Sequence, residues 1–307
     1  MRPPSLRALS ALPLACLFGL PVGAQEPLHI TLGVYSFKQP TEVVRDFAAA
    51  TDELARLTTA AHGQPVTVQL RVFKTYDECL DRFVAGEIDL VRFGPASYVL
   101  AKQRNPDIQL LVAEQEDGKK RCHGVIAVRK DSPVQTLADL KGKSFAFGDE
   151  NSTIGRYLSQ AQLVSAGVHA EDLAKFRYLE RHDKVFKAVE VGDYDAGAMH
   201  IATFEDLNEK KAPLRVLVRF DNVGKPWVAR AGLDPQVVVS LRKALLQMTR
   251  EEPLKALKVH GFQATTDDDF TLVRTGMKKS ETFERTKAQP VPVPPSAPAK
   301  VQPSPGK

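Results

Sequence analysis

FGDENSTIGRYL, residues 147–158, reads as the end of a strand, a polar turn and the start of a helix. Ser152 and Thr153 fall where that helix begins. Hydroxyls there satisfy backbone N–H groups that the first turn of a helix leaves without partners. The same place also suits an anion, because those N–H groups and the helix dipole face it. One cap at one helix is ordinary. The reading turns on whether other strand–helix junctions bring matching groups to the same place.

Working outward, strands and helices alternate. LHITLGVYS (28–36) and VTVQLRVF (66–73) are apolar and β-branched, with the period of two that a half-buried strand requires. PTEVVRDFAAATDELARLT (40–58) and YDECLDRFVAG (76–86) carry apolar residues at helical spacing, and the second stops at Gly86. IDLVRF (88–93), IQLLVAEQE (108–116), HGVIAVRK (123–130), SFAFG (144–148), KFRYLE (175–180) and YDAGAMH (194–200) read as strands. HDKVFKAVEVG (182–192) and DPQVVVSLRKALLQM (234–248) read as helices. A Gly-Pro break follows LRVLVRF (214–220). Such alternation predicts an α/β fold with parallel sheets. In open α/β sheets ligands sit beyond the carboxyl ends of the strands. The junctions there carry Tyr35 and Ser36, Ser97 and Tyr98, Ser152 and Thr153, and His182. Several capped helix starts facing one side of a sheet predict a ligand site.

The ends of the chain have a different character. Arg2 and Arg7 precede the apolar run ALSALPLACLFGLPV, and small residues Val22 and Ala24 follow, so residues 1–24 are expected to be a signal peptide. A lipid-anchored start at Cys16 is disfavoured by Pro13 three residues before it. The last stretch, 286–307, is Pro-rich and reads as a disordered tail. The formal charge is +5 over 307 residues and +3 once the two leader arginines are removed. The cations are scattered among acids, which argues against nucleic-acid binding. After processing, Cys79 and Cys122 remain, and in an oxidising compartment a disulfide is the default expectation.

NSTIGRYL and FGPASYVLA (93–101), together with DLKGKSFAFGDENSTIG (139–155) and RHDKVFKAVEVGDYDAGA (181–198), resemble the PhnD-like periplasmic solute-binding proteins for phosphonate, phosphite and phosphate. The resemblance covers nearly the whole chain between leader and tail. It implies the type II periplasmic-binding fold: two α/β lobes, 27–120 with 224–284 and 121–223, joined by two crossing segments near 120–123 and 220–225 that act as a hinge. It implies a monomeric receptor with no cofactor that closes on a small oxoanion and delivers it to an ABC importer. Some relatives serve a sensor histidine kinase instead. The matching positions are Ser152 and Thr153 as oxoanion donors, His182 as a further donor, and Tyr76 as a ring hydroxyl from the other lobe. Ile154 stands where many relatives have a third hydroxyl. Ala202 and Lys225 stand where binders of aminoalkylphosphonates hold the ligand's amine with acids, so such a ligand is disfavoured. Cys122 stands at the place of an anion-binding tyrosine. Some relatives sense arsenite through a cysteine, which leaves trivalent arsenic held by Cys122 as the alternative ligand.

A hydrolase is the reading from another class. Ser152, His182 and Asp195 could be written as a triad, and Cys122 with His123 as nucleophile and base. No Gly-x-Ser-x-Gly elbow supports the first. Neighbouring residues on a strand point to opposite faces, which disfavours the second.

Overall fold

The strands alternate as their sequences require. The structure, a computed structural model, describes residues 26–284 apart from 117, 210 and 211. The expected signal peptide, Cys16 and the Pro-rich tail lie outside the described residues. Eleven strands are described: β1 (Leu28–Tyr35), β2 (Val66–Phe73), β3 (Leu90–Arg92), β4 (Gln109–Gln115), β5 (Arg121–Arg129), β6 (Ser144–Phe147), β7 (Lys175–Tyr178), β8 (Ala196–His200), β9 (Leu214–Val223), β10 (Pro226–Ala229) and β11 (Gly261–Gln263). The α-helices are α1 (Pro40–His62), α2 (Tyr76–Val84), α3 (Pro95–Arg104), α4 (Ser159–Ser165), α5 (His182–Glu190), α6 (Ile201–Asn208), α7 (Pro235–Leu246), α8 (Glu251–Leu257) and α9 (Thr271–Ser280). None of the described helices is long and apolar enough to cross a membrane.

The strands form a six-stranded sheet, ordered β11-β4-β10-β3-β1-β2, and a five-stranded sheet, ordered β7-β6-β8-β5-β9. Each is a central layer. Leu90 of β3 and Trp227 and Ala229 of β10 pack toward α1 and α7, while Val91 and Val228, one residue out of phase, pack toward α2, α3 and α9. In the second sheet Ile126 and Val128 join the core under α4, and Val125 and Ala127 the core under α5 and α6.

The sheets are mixed rather than parallel throughout. β1 is parallel to β2 and β3, and β6 to β7 and β8. β10 and β11 run antiparallel to their neighbours, as does β5 to β8 and β9. A helical crossover enforces parallel strands. β10 instead arrives directly from β9 of the other sheet, and no helix sets its direction. The Gly-Pro break expected after LRVLVRF is this crossing, with Pro226 already paired to Ala113.

The sheets are linked between β4 and β5 and between β9 and β10. These links touch: Gly224 N donates to Lys120 O at 2.7 Å. A Cβ on Gly224 would stand 1.9 Å from Glu114 O, so no other residue fits there without displacing backbone. The end of the described chain also crosses. Val273 and Met277 of α9 belong to the core of the first lobe, whereas Phe283 is buried in the core of the second.

Candidate functional site

Ser152 caps a wide first turn, Thr153–Leu158, that leads into α4. Its Oγ accepts from Gly155 N at 3.0 Å. Its carbonyl accepts from Arg156 N at 3.1 Å and Tyr157 N at 3.2 Å, which widens the turn beyond α-helical geometry. The turn lies against the end of β6, where Gly148 N donates to Gly155 O at 2.9 Å. A Cβ on Gly155 would come within 2.8 Å of Gly148 Cα, so this approach needs both glycines.

The turn faces the other lobe. Thr153 Oγ1 accepts from Ala96 N at 2.9 Å, in the first turn of α3. Tyr35 Oη accepts from the neighbouring Gly94 N at 2.8 Å. Ser97 and Tyr76 lie close enough to the Tyr35 hydroxyl to influence it, and Tyr76 lies likewise beside Ser152. The rings of Tyr35 and Tyr76 stack with centroids 3.8 Å apart. Burial pushes the Tyr35 hydroxyl up to about 12 and raises that of Tyr76. Both keep their protons at neutral pH. Tyr35, Tyr76, Ser97, Ser152 and Thr153 therefore meet as neutral hydroxyls around the starts of two helices.

Behind them lies a second group. His182 opens α5, and its Nδ1 is buried with no partner. His200 caps α6 through Nδ1, which accepts from Ala202 N at 3.2 Å, and its ring centroid lies 6.4 Å from that of His182. Burial, with repulsion from nearby cations, lowers His182 to about 4 and His200 to about 3, so both are neutral near pH 7. Cys122 on β5 is 6% exposed. Its Sγ lies 3.4 Å from Asn222 Nδ2 and 3.5 Å from Val223 O. Burial pushes the thiol up to about 12. Donor atoms of Glu116, Cys122 and His200 fall within 4.8 Å of one another. With His200 Nδ1 accepting, its ring proton sits on Nε2, toward Glu116 Oε1 at 3.8 Å, so in this arrangement the imidazole turns no lone pair toward the group.

A family model for periplasmic substrate-binding proteins of phosphonate ABC transporters matches residues 32–270. The chain belongs to this family. It is 30% identical over 173 residues to the probable ABC transporter phosphite binding protein PhnD1 of Prochlorococcus marinus (strain MIT 9301), a match covering 52% of this chain and 57% of that protein. It is 27% identical over 240 residues to the phosphate-import protein PhnD of Mycolicibacterium smegmatis, covering 73% of each. The structure of the Prochlorococcus PhnD1 in complex with methylphosphonate superposes with a TM-score of 0.70 at 22% identity, over 83% of this chain and 99% of that one. The fold of this binding protein is accordingly the type II periplasmic-binding fold.

Two expectations need correction, and the triad already disfavoured gains nothing. Tyr98, expected at the site, is a core residue of the binding protein. It is 1% exposed, its ring packs 4.6 Å from that of Phe270, and its hydroxyl donates to Asp267 Oδ1 at 2.6 Å. Cys79, expected as a disulfide partner of Cys122, is fully buried with Leu80 and Phe83 in the first lobe, and both cysteines are free thiols. Asp195, the acid of the written triad, is spent at the opposite end of β8. It accepts from Ser144 N at 2.8 Å and Ser144 Oγ at 2.7 Å.

Sequence reasoning passed over Gly94, Arg92 and His200. A usable signal existed. Thirteen residues separate Tyr76 from Asp89 and also His182 from Asp195, and five separate Asp89 from Gly94 and Asp195 from His200. Overlaying these spacings places Gly94 and His200 beside the tyrosine and the histidine already singled out.

Proposed function

We propose that the protein is a periplasmic receptor that closes on a phosphorus oxoanion, of the phosphite, phosphate or alkylphosphonate type, and presents it to an ABC importer. One observation carries this reading: hydroxyls of Ser152 and Thr153 from one lobe meet Tyr35, Tyr76, Gly94 N and Ala96 N from the other. Neutral donors at helix starts can surround oxygens from two sides without a full counter-charge. His182, with an unpartnered Nδ1, supplies a further donor or acceptor. A phosphorus oxoanion is preferred to trivalent arsenic because Cys122 is buried with its Sγ already engaged with Asn222 and Val223, and because the matched relatives are named for phosphite and phosphate. The chain reads as a monomer exported by its leader, acting by binding rather than by turnover. An importer is preferred to a sensor kinase because the matched relatives are transport proteins.

The test is calorimetry with methylphosphonate, phosphite, phosphate, sulfate and arsenite, paired with small-angle scattering. Binding of at least one phosphorus oxoanion, with compaction of the chain, is expected. Arsenite binding with no response to any phosphorus compound would overturn the reading.

A further inference from the structure

Beside the hydroxyl nest lies space that an oxoanion head group does not need. A cavity of about 290 Å³ runs from Tyr35 along the start of α1 and the end of α8 to the crossing at Lys225. Tyr35 belongs to both places: it lines this cavity and also reaches Gly94 N in the nest. Four cations line the cavity, Lys38, Arg92, Lys225 and Lys258. Asp46 is its carboxylate, and Lys38 Nζ holds it at 2.8 Å. Arg92 is forked onto Glu114, which also accepts from Trp227 Nε1 at 2.9 Å.

Two ammonium groups remain. Among the described residues, neither Lys225 nor Lys258 makes a side-chain hydrogen bond or ion pair. The field on Lys225 is not balanced. Its side chain is exposed to solvent, and the charge of Arg92 is the first cause that pulls its pKa down, to about 8, against the opposite pull of Glu114, Cys122 and Glu116. An anion brought to it would offset the repulsion from Arg92.

The size of the cavity limits the guest. At about 30 Å³ per water, 290 Å³ holds a short polar arm with a few waters. It lies at the lower edge of small-molecule pockets, which begin near 300 Å³. A methyl substituent makes no use of the spare ammonium groups, and an amine would be repelled by them.

We propose that this cavity takes a second acidic group carried on a short arm of the phosphorus ligand, such as the carboxylate of a phosphonocarboxylate, with Lys225 as its main partner and Lys258 as a weaker one. This rests on the reading of the nest as the oxoanion site and extends it to the ligand's other end.

The experiment is calorimetry at pH 7 with methylphosphonate, propylphosphonate and phosphonoacetate on the wild type, Lys225→Met, Lys225→Arg and Lys258→Met. Phosphonoacetate is expected to bind the wild type about tenfold tighter than propylphosphonate, the worth of one charge-assisted hydrogen bond. That ratio should fall to about one in Lys225→Met, recover in Lys225→Arg, and fall by about threefold in Lys258→Met. Should Lys225→Met fail to fold, the wild-type ratio and Lys258→Met decide. A wild-type ratio of one or less, or a ratio unmoved by every substitution, overturns the proposal. Methylphosphonate binding without any preference for phosphonoacetate would leave the oxoanion site standing and remove only the second subsite. No binding of any phosphonate would overturn the second subsite, and a matching failure of phosphite and phosphate would overturn the oxoanion site as well.

Discussion

The two lobes repeat one plan with different side chains. In the first, Asp89 accepts from Thr31 N at 2.9 Å and Thr31 Oγ1 at 2.6 Å, clasping the start of β3 to β1. In the second, Asp195 clasps the start of β8 to β6 through Ser144 in the same manner. At the far end of each pair of strands, the first residue of a helix faces the cleft: Tyr76 on α2, His182 on α5. The next helix begins with Gly94 in one lobe and His200 in the other. The first lobe stacks its two tyrosines beside hydroxyls, while the second leaves His182 Nδ1 without a partner. Both nonetheless offer neutral groups, since the tyrosines keep their protons and the histidines reject theirs. The lesson is a division of roles: neutral groups of the two lobes form the nest, and the cations Arg92, Lys225 and Lys258 lie beside it.

Removing the hydroxyls of the second lobe strains this comparison most. Ser152→Ala with Thr153→Ala should weaken methylphosphonate binding by about 3–5 kcal/mol, since hydrogen bonds to charged groups contribute about 1.5–3 kcal/mol each. The unliganded melting temperature should reflect only about 1 kcal/mol per lost cap. Unchanged affinity in calorimetry with a large drop in melting temperature would make these residues caps and nothing more.

A finer test sets Tyr76→Phe against His182→Ala. Equivalent places in the two lobes predict similar losses of affinity, about tenfold each. A loss confined to Tyr76→Phe would show that one lobe alone reads the ligand, and the symmetry would be of fold only.

The smallest effect is in the pH profile. Lys225 is charged below about 8, and a carboxylate arm favours that form, so phosphonoacetate affinity should weaken several-fold as pH rises through 8. Folding responds with the opposite sign. The unfolded chain binds the proton up to about 10.5, so the depressed group costs stability below about 8 and that cost is relieved as pH rises from about 8 to 10.5. His182 and His200 face the same region but stay neutral across that window. Lys225→Met should flatten the affinity profile, leaving only the ligand's own ionisation; a slope that persists would place the titrating group elsewhere.

Much of this was legible in the chain. Period-two strands and the glycine-stopped helices are local signals, and Ser152, Thr153, Tyr76 and Tyr35 lie at strand ends that topology brings together. Tyr98 misled because position along a helix does not reveal which neighbour its face will meet. One turn of α3 separates capping Gly94 from Tyr98, enough to swing the ring into the core against Phe270. β10 was missed because Pro226 in a central strand contradicts ordinary strand grammar. It is tolerated where the strand begins, and its carbonyl still accepts from Phe93 N at 3.0 Å. The cationic cavity was invisible because Lys38, Arg92, Lys225 and Lys258 are scattered along the chain and become neighbours only in the folded sheet.

The contact of Gly224 with Lys120 and Glu114 bears on mechanics. The two links are fused there by a backbone hydrogen bond and a contact too close for any side chain. A rotation of one lobe against the other about that point would leave Lys225, the next residue, beside the pivot. The same rotation would carry Ser152 and Thr153, remote from it in the second lobe, through a longer arc.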